Sequence, residues 1–205
     1  LIAIVDYGMG NLRSVEKGFL KVGVETKVTS SPADIEDAEG VVLPGVGAFR
    51  DCMANLKRLD LLDTVSRQIE KGKPYLGICL GLQILFEESE EFGTSKGLGV
   101  LRGKVVRFPE QGLKIPHMGW NTVRFTKVPP PFEEIGDGSY FYFVHSYYVS
   151  PAEKDPVAGM TGYGVEFTSM VWKDNIIATQ FHPEKSQTLG LRVLRGFGDF
   201  VRRYD

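Results

Sequence analysis

Apolar residues along this chain come in two textures, and the boundary between them falls near Gly97. Before it, short unbroken apolar runs alternate with stretches whose apolar positions recur every three or four residues. That alternation predicts strands buried on both faces and joined by amphipathic helices, the βαβ arrangement of a parallel sheet. Leu1 to Val5 is the first such run. Leu12, Val15, Phe19 and Val22 follow at helical spacing, with Asn11 as N-cap and Gly23 as the stop. Val41-Val42-Leu43 predicts a second buried strand closed by Pro44-Gly45-Val46-Gly47, and Leu62, Val65 and Ile69 mark the face of a long helix. Tyr75 to Ile78 predicts the next strand.

After Gly97 the apolar runs shorten, residues alternate and turn signals multiply, so antiparallel strands are expected. Tyr140 to Tyr148 predicts one strongly aromatic strand. Met170-Val171-Trp172 and Ile176 to Phe181 predict a hairpin around Lys173-Asp174-Asn175, its second strand leading straight to His182. Pro129-Pro130-Pro131 reads as an exposed connection, and Leu191, Leu194, Phe197 and Val201 predict a closing helix. No repeat or linker divides the chain. The expectation is one α/β domain over residues 1–205, a mostly parallel central sheet flanked by helices with added antiparallel strands in the second half.

Composition narrows the function classes. A length of 205 residues, 42% hydrophobic and 24% charged with a net charge of −2, describes an ordinary globular chain without the basic excess that nucleic acid or a membrane surface calls for. No stretch approaches the ~20 apolar residues of a membrane span, and the apolar start, cut short by Asp6, lacks the basic lead-in of a secretory signal. Cys52 lies in helical sequence beside Met53 and Leu56 and reads as a small buried hydrophobe; with no other mark of secretion, a reducing cytoplasm is expected. His117, His145 and His182 are scattered, and no Cys or His pair has the spacing of a zinc site.

The chemistry concentrates in two segments. Gly77-Ile78-Cys79-Leu80-Gly81 has a cysteine with glycine two positions away on either side, fed by an apolar strand and followed by helix-forming sequence. A nucleophile at the tip of a strand-to-helix turn occupies cramped backbone geometry, so its neighbours at minus two and plus two must be small. A helix beginning at Leu80 would also favour thiolate over thiol. The second segment, Gln180-Phe181-His182-Pro183-Glu184, sets a histidine at a strand end and a carboxylate across a proline. Such a pair suits a base and its orienter, with Glu184 on one imidazole nitrogen and Cys79 facing the other. Taken alone, His182 reads more readily as a structural histidine and Glu184 as a solvated surface charge; the elbow changes that balance. Pro44-Gly45-Val46-Gly47 ends a strand, where parallel-sheet enzymes gather their sites, and its N–H groups with that of Leu80 could hold an oxyanion. An ordinary strand-ending turn is the alternative. No Lys-Ser or Lys-Thr follows it, so a phosphate-binding loop is not indicated.

With these segments in this order the chain resembles class I (triad) glutamine amidotransferases over nearly its whole length. The resemblance implies Cys79 as nucleophile, His182 as general base and acid, Glu184 as orienting carboxylate, Val46, Gly47 and Leu80 around the oxyanion, and Gln83, Glu91 and Gly45 against L-glutamine. Asp6 to Asn11, Pro116-His117-Met118-Gly119-Trp120-Asn121 and Tyr142 to Tyr147 narrow the resemblance to the glutaminase subunits of imidazole glycerol phosphate synthases. That implies glutamine hydrolysis without a cofactor. It also implies a heterodimer with a (β/α)₈-barrel cyclase that uses the ammonia, contacted through Asn11, Trp120, Asn121 and Lys185. A barrel needs roughly 250 residues, so it is expected on a separate chain. Because Lys185 adjoins the triad carboxylate, partner binding is expected to reorganise Gly45-Val46-Gly47. Other amidotransferases, a cysteine peptidase of similar topology and a non-catalytic glutamine sensor are the competing readings; the Leu80 position, where such peptidases often carry histidine, and the intact triad weigh against the last two.

Overall fold

In the computed structural model, which describes residues 1–110 and 112–204, the two textures become two regions of one sheet. The first half runs β1 (Ile2–Val5), α1 (Leu12–Lys21), β2 (Thr26–Thr29), α2 (Pro32–Asp37), β3 (Gly40–Gly45), α3 (Phe49–Arg58), α4 (Leu61–Glu70), β4 (Tyr75–Cys79) and α5 (Leu80–Gln83). Here β2, β1, β3 and β4 pair in parallel in that order. Both faces of these strands are covered. Ala3 and Val5 join one apolar cluster with Phe49, Leu56 and Val65, while Ile2 and Ile4 join the other with Val15, Phe19 and Phe197. Continuous apolar runs are the sequence signature of that double burial.

The second half runs β5 (Phe86–Ser89), β6 (Ser95–Lys96), β7 (Leu101–Arg107), β8 (His117–Phe125), β9 (Ser139–His145), β10 (Tyr147–Pro151), β11 (Val157–Tyr163), β12 (Val165–Lys173), β13 (Ile176–Thr179) and α6 (Gln187–Arg203). Most of these pairings are antiparallel. The hairpin of β12 and β13 turns on Asp174-Asn175, with Lys173 opposite Ile176 and Asp174 in the left-handed region at φ 51°. Its second strand does more than close a hairpin. β13 lies parallel to β4, with Thr179 opposite Ile78, so that Gln180 is delivered beside Cys79.

Several boundaries differ from the sequence reading. The aromatic run breaks at Ser146, because β9 pairs with β8 whereas β10 pairs with β7. β3 continues through Pro44 and Gly45, a parallel edge of β4 rather than a turn. The triple proline is not simply exposed: Pro130–Phe132 forms a 3₁₀ turn with Pro131 and Phe132 buried against α6. Asn11 occupies the N-cap position of α1 without a side-chain capping bond.

Candidate active site

The elbow shows why its flanking residues are glycine. Cys79 ends β4 at φ 56°, ψ −102°, a strained conformation for a side-chain-bearing residue. The chain doubles back so tightly that a Cβ on Gly77 would lie 2.4 Å from the Gly81 carbonyl oxygen, and one on Gly81 would lie 1.9 Å from the Leu43 oxygen. Tyr75, buried below, donates its hydroxyl to that Gly81 oxygen at 2.8 Å and ties the turn down. The helix behind the elbow is shorter than the sequence promised. α5 has four residues, so few peptide dipoles align behind the sulfur and the neighbouring side chains carry most of the electrostatics.

Two parallel strands flank Cys79. On one side Gly45 of β3 pairs with it, and a Cβ there would meet the Leu80 side chain at 2.5 Å and the Tyr7 hydroxyl at 2.6 Å. Tyr7 in turn donates to the Pro44 carbonyl at 3.0 Å, fixing the root of the loop. Val46 and Gly47 follow, the latter at φ 97°, and both line the hollow that holds Cys79. On the other side β13 leads through Gln180 to His182. The imidazole Nδ1 sits 2.8 Å from Glu184 Oε1, and both side chains are only 2% exposed. His182 Nε2 has no protein hydrogen-bond partner, leaving it open toward Cys79. Burial lowers the basicity of this imidazole, but the adjacent Cys79 and Glu184 outweigh it and push its pKa up to about 10.

The histidine backbone is also clasped. His182 N–H donates to the Tyr142 carbonyl at 2.9 Å, Tyr142 N–H donates to Ser186 Oγ at 3.0 Å, and Ser186 Oγ donates to the His182 carbonyl at 2.6 Å. The sequence pattern does not mark Ser186, and it includes Gln180 only as the lead-in to His182, without a role. Gln180 donates from Nε2 to Cys79 Sγ at 3.5 Å and accepts at Oε1 from Gln83 Nε2 at 3.2 Å.

A cavity of about 400 Å³ opens over the thiol, lined by Val46, Gly47, Cys79, Leu80, Gln83, Glu91, Tyr147 and Lys185 among others. That volume suits a small metabolite. Glu91 is half-buried there, one carboxylate oxygen accepting from Phe49 N–H at 2.7 Å. Asn11 and Trp120 are exposed, whereas Asn121 is turned inward: its amide nitrogen contacts His117 Nε2 at 3.2 Å and the Gly162 carbonyl at 2.9 Å, and its oxygen accepts from Thr122 N–H at 2.8 Å. Among the described residues no cluster of His, Cys, Asp and Glu has the geometry to hold a metal ion, and both thiols are free.

The family model described as glutamine amidotransferase class-I matches residues 3–198. This chain belongs to that family. The amidotransferase is 54% identical over 204 residues to the imidazole glycerol phosphate synthase subunit HisH of Geobacter sulfurreducens, covering 97% of this chain and 98% of that one. It is 55% identical over 205 residues to the HisH subunit of Syntrophotalea carbinolica, covering 97% of this chain and all of the relative. Among solved structures, PurLQS from Thermotoga maritima shares the fold with a TM-score of 0.76 at 19% identity, over 97% of both chains.

Proposed function

We propose that this amidotransferase is the glutaminase subunit of an imidazole glycerol phosphate synthase, and that Cys79, His182 and Glu184 carry its chemistry. The observation that bears most weight is a strained nucleophile elbow facing a buried His–Glu pair, in a chain collinear with HisH subunits. The Cys79 sulfur adds to the side-chain amide carbon of glutamine, and the oxygen takes up negative charge beside the N–H groups of Val46, Gly47 and Leu80. His182 gives a proton to the amide nitrogen as the C–N bond breaks, releasing ammonia and leaving a glutamyl thioester. Water, deprotonated by His182, then adds to the thioester; the C–S bond breaks, and glutamate leaves with the electron pair returned to sulfur. Both N–H donors of Gln83 are taken up by Tyr147 O and Gln180 Oε1, so only its carbonyl oxygen remains to accept from the substrate. Glu91 supplies negative charge for the α-ammonium group; Gly45, packed against Leu80 and Tyr7 and outside the cavity lining, supports the loop rather than the substrate.

The ammonia acceptor is a (β/α)₈-barrel cyclase subunit. Supporting this, the outer face of β8 and β9 leaves Met118, Trp120 and Tyr140 exposed, an apolar patch beside the cavity mouth. Lys185 stands at its edge with Nζ 5.8 Å from the Tyr142 ring. A partner on this face would press on Tyr142, whose backbone clasps His182, so a slow free enzyme is expected. Asn11 extends the contact; Asn121 supports it from behind. Among the described residues no helix is long and apolar enough to cross a membrane; we assign the complex to the cytoplasm because the proposed chemistry needs the Cys79 thiol reduced, and both thiols are free.

Replacing the nucleophile tests the reading. Cys79→Ala should abolish ammonia release from glutamine while the complex assembles and its cyclase still works with added ammonium. Retained glutamine hydrolysis would overturn the assignment.

A further inference from the structure

Gln180 is fully buried, at 0% exposure, so its amide has no water as an alternative partner; Gln83, at 4%, turns only its oxygen to the cavity. Their orientation follows from one backbone atom. The Tyr147 carbonyl can only accept, so Gln83 must present Nε2 to it, at 3.1 Å. The same nitrogen reaches Gln180 at 3.2 Å, so Gln180 must answer with Oε1. Its own Nε2 is thereby aimed at Cys79 Sγ, at 3.5 Å; the flipped amide would set two NH₂ groups against each other. The Tyr147 carbonyl is itself held from the far side by His145 Nδ1 at 2.8 Å.

We propose that Gln180 is a catalytic residue: the fixed hydrogen-bond donor to the Cys79 sulfur, holding the nucleophile in its attacking form and receiving it again when the thioester opens. The inference rests on Cys79 being the glutaminase nucleophile. Gln180 transfers no proton. A thiolate accepts a hydrogen bond strongly and a thioester sulfur weakly, so the donor acts before the C–S bond forms and again as it breaks, when the electron pair returns to sulfur. Deacylation is the step it favours most.

The test uses the full chain and iodoacetamide, which alkylates the sulfur without involving glutamine; peptide mapping separates Cys79 from Cys52. Tyr7, Cys52 and His182, with Glu184 behind it, face Cys79, and Glu91 and Lys185 line the same cavity; all are retained in Gln180→Met. That variant should move the rising limb of the alkylation profile up by about one pH unit, the scale of one hydrogen bond to a charged group. With glutamine and the cyclase partner present, kcat should fall about tenfold and KM should fall with it, because slowed deacylation lets the thioester accumulate. A folded Gln180→Met with the parent's alkylation profile would overturn the proposal. If that variant does not fold, the unaltered chain decides: the Gln180 side-chain N–H resonances must shift when Cys79 is alkylated, and resonances that stay in place refute the contact. Absence of ammonia production in the parent would instead refute the glutaminase reading and leave the alkylation result standing.

Discussion

The Glu184 carboxylate has a single hydrogen-bonded oxygen, on His182 Nδ1, while its other oxygen is buried without a partner. A carboxylate so placed accepts only from Nδ1–H, which fixes the imidazole tautomer and leaves Nε2 for the sulfur and the leaving ammonia. Glu184→Gln keeps the shape but offers an NH₂ group that admits the wrong tautomer. Its kcat for glutamine hydrolysis should fall roughly 10²- to 10⁴-fold at nearly unchanged KM, measured as ammonia release in the presence of the partner; a loss under tenfold would remove Glu184 from the triad. Cys79, His182 and Glu184 are legible in the sequence as candidates because each sits in a short local motif whose spacing is set by sterics. Gln180 and Ser186 are not, since their contacts arise from the register of β13 on β4 and from the approach of β9. Asn121 shows the opposite failure. Its neighbours on the motif face outward, but strand alternation turns its side chain inward beside His117.

Among the elements, the elbow depends on the distance between β3 and the first turn of α5. The Gly81 backbone lies so close to Leu43 that a methyl group there would overlap its carbonyl oxygen at 1.9 Å, and neither atom belongs to a flexible side chain. Gly81→Ala should therefore destabilise the domain by about 2 kcal/mol or more, read from urea unfolding. Gly162→Ala, where nothing lies within 4 Å, serves as the near-neutral control; equal midpoints for the two would mean the elbow relaxes freely. The same closeness explains what the sequence conveyed of the fold. Continuous apolar runs marked β1, β3 and β4, because a strand buried on both faces has no polar positions to confuse the pattern. The aromatic run from Tyr140 to Tyr148 predicts one strand where there are two, because local pattern carries no information about a change of partner from β8 to β7. Pairing β13 in parallel with β4, the step that joins the two candidate segments, is likewise a long-range choice.

At the scale of the whole molecule, a polar path crosses the interior behind the exposed face of β8 and β9. The Tyr147 carbonyl accepts from His145 Nδ1, so His145 Nε2 is an acceptor and takes the Nδ1–H of His117 at 2.9 Å; His117 Nε2 then accepts from Asn121 at 3.2 Å. The His117–His145 link requires a neutral His145, and the Asn121 link a neutral His117. Burial lowers their pKa values from the ordinary 6.5 to about 4 for His117 and about 3 for His145. In the unfolded chain both regain the ordinary value, so below pH 6.5 unfolding takes up two protons that the fold refuses, and stability falls as pH drops from about 6.5 toward 4. His182 works in the other direction. Its raised folded value gives a contribution that is complete below 6.5 and lost as pH climbs toward about 10, so it does not oppose the acid loss. Urea unfolding should accordingly show a stability maximum near neutrality and a clear decline by pH 5, above the range in which ordinary carboxylates protonate. The ring-proton NMR resonances of His117 and His145 should not titrate across that interval. Stability that is flat from pH 7 to 5, or a midpoint near 6.5 for either ring, would show that the two imidazoles are not locked in this path.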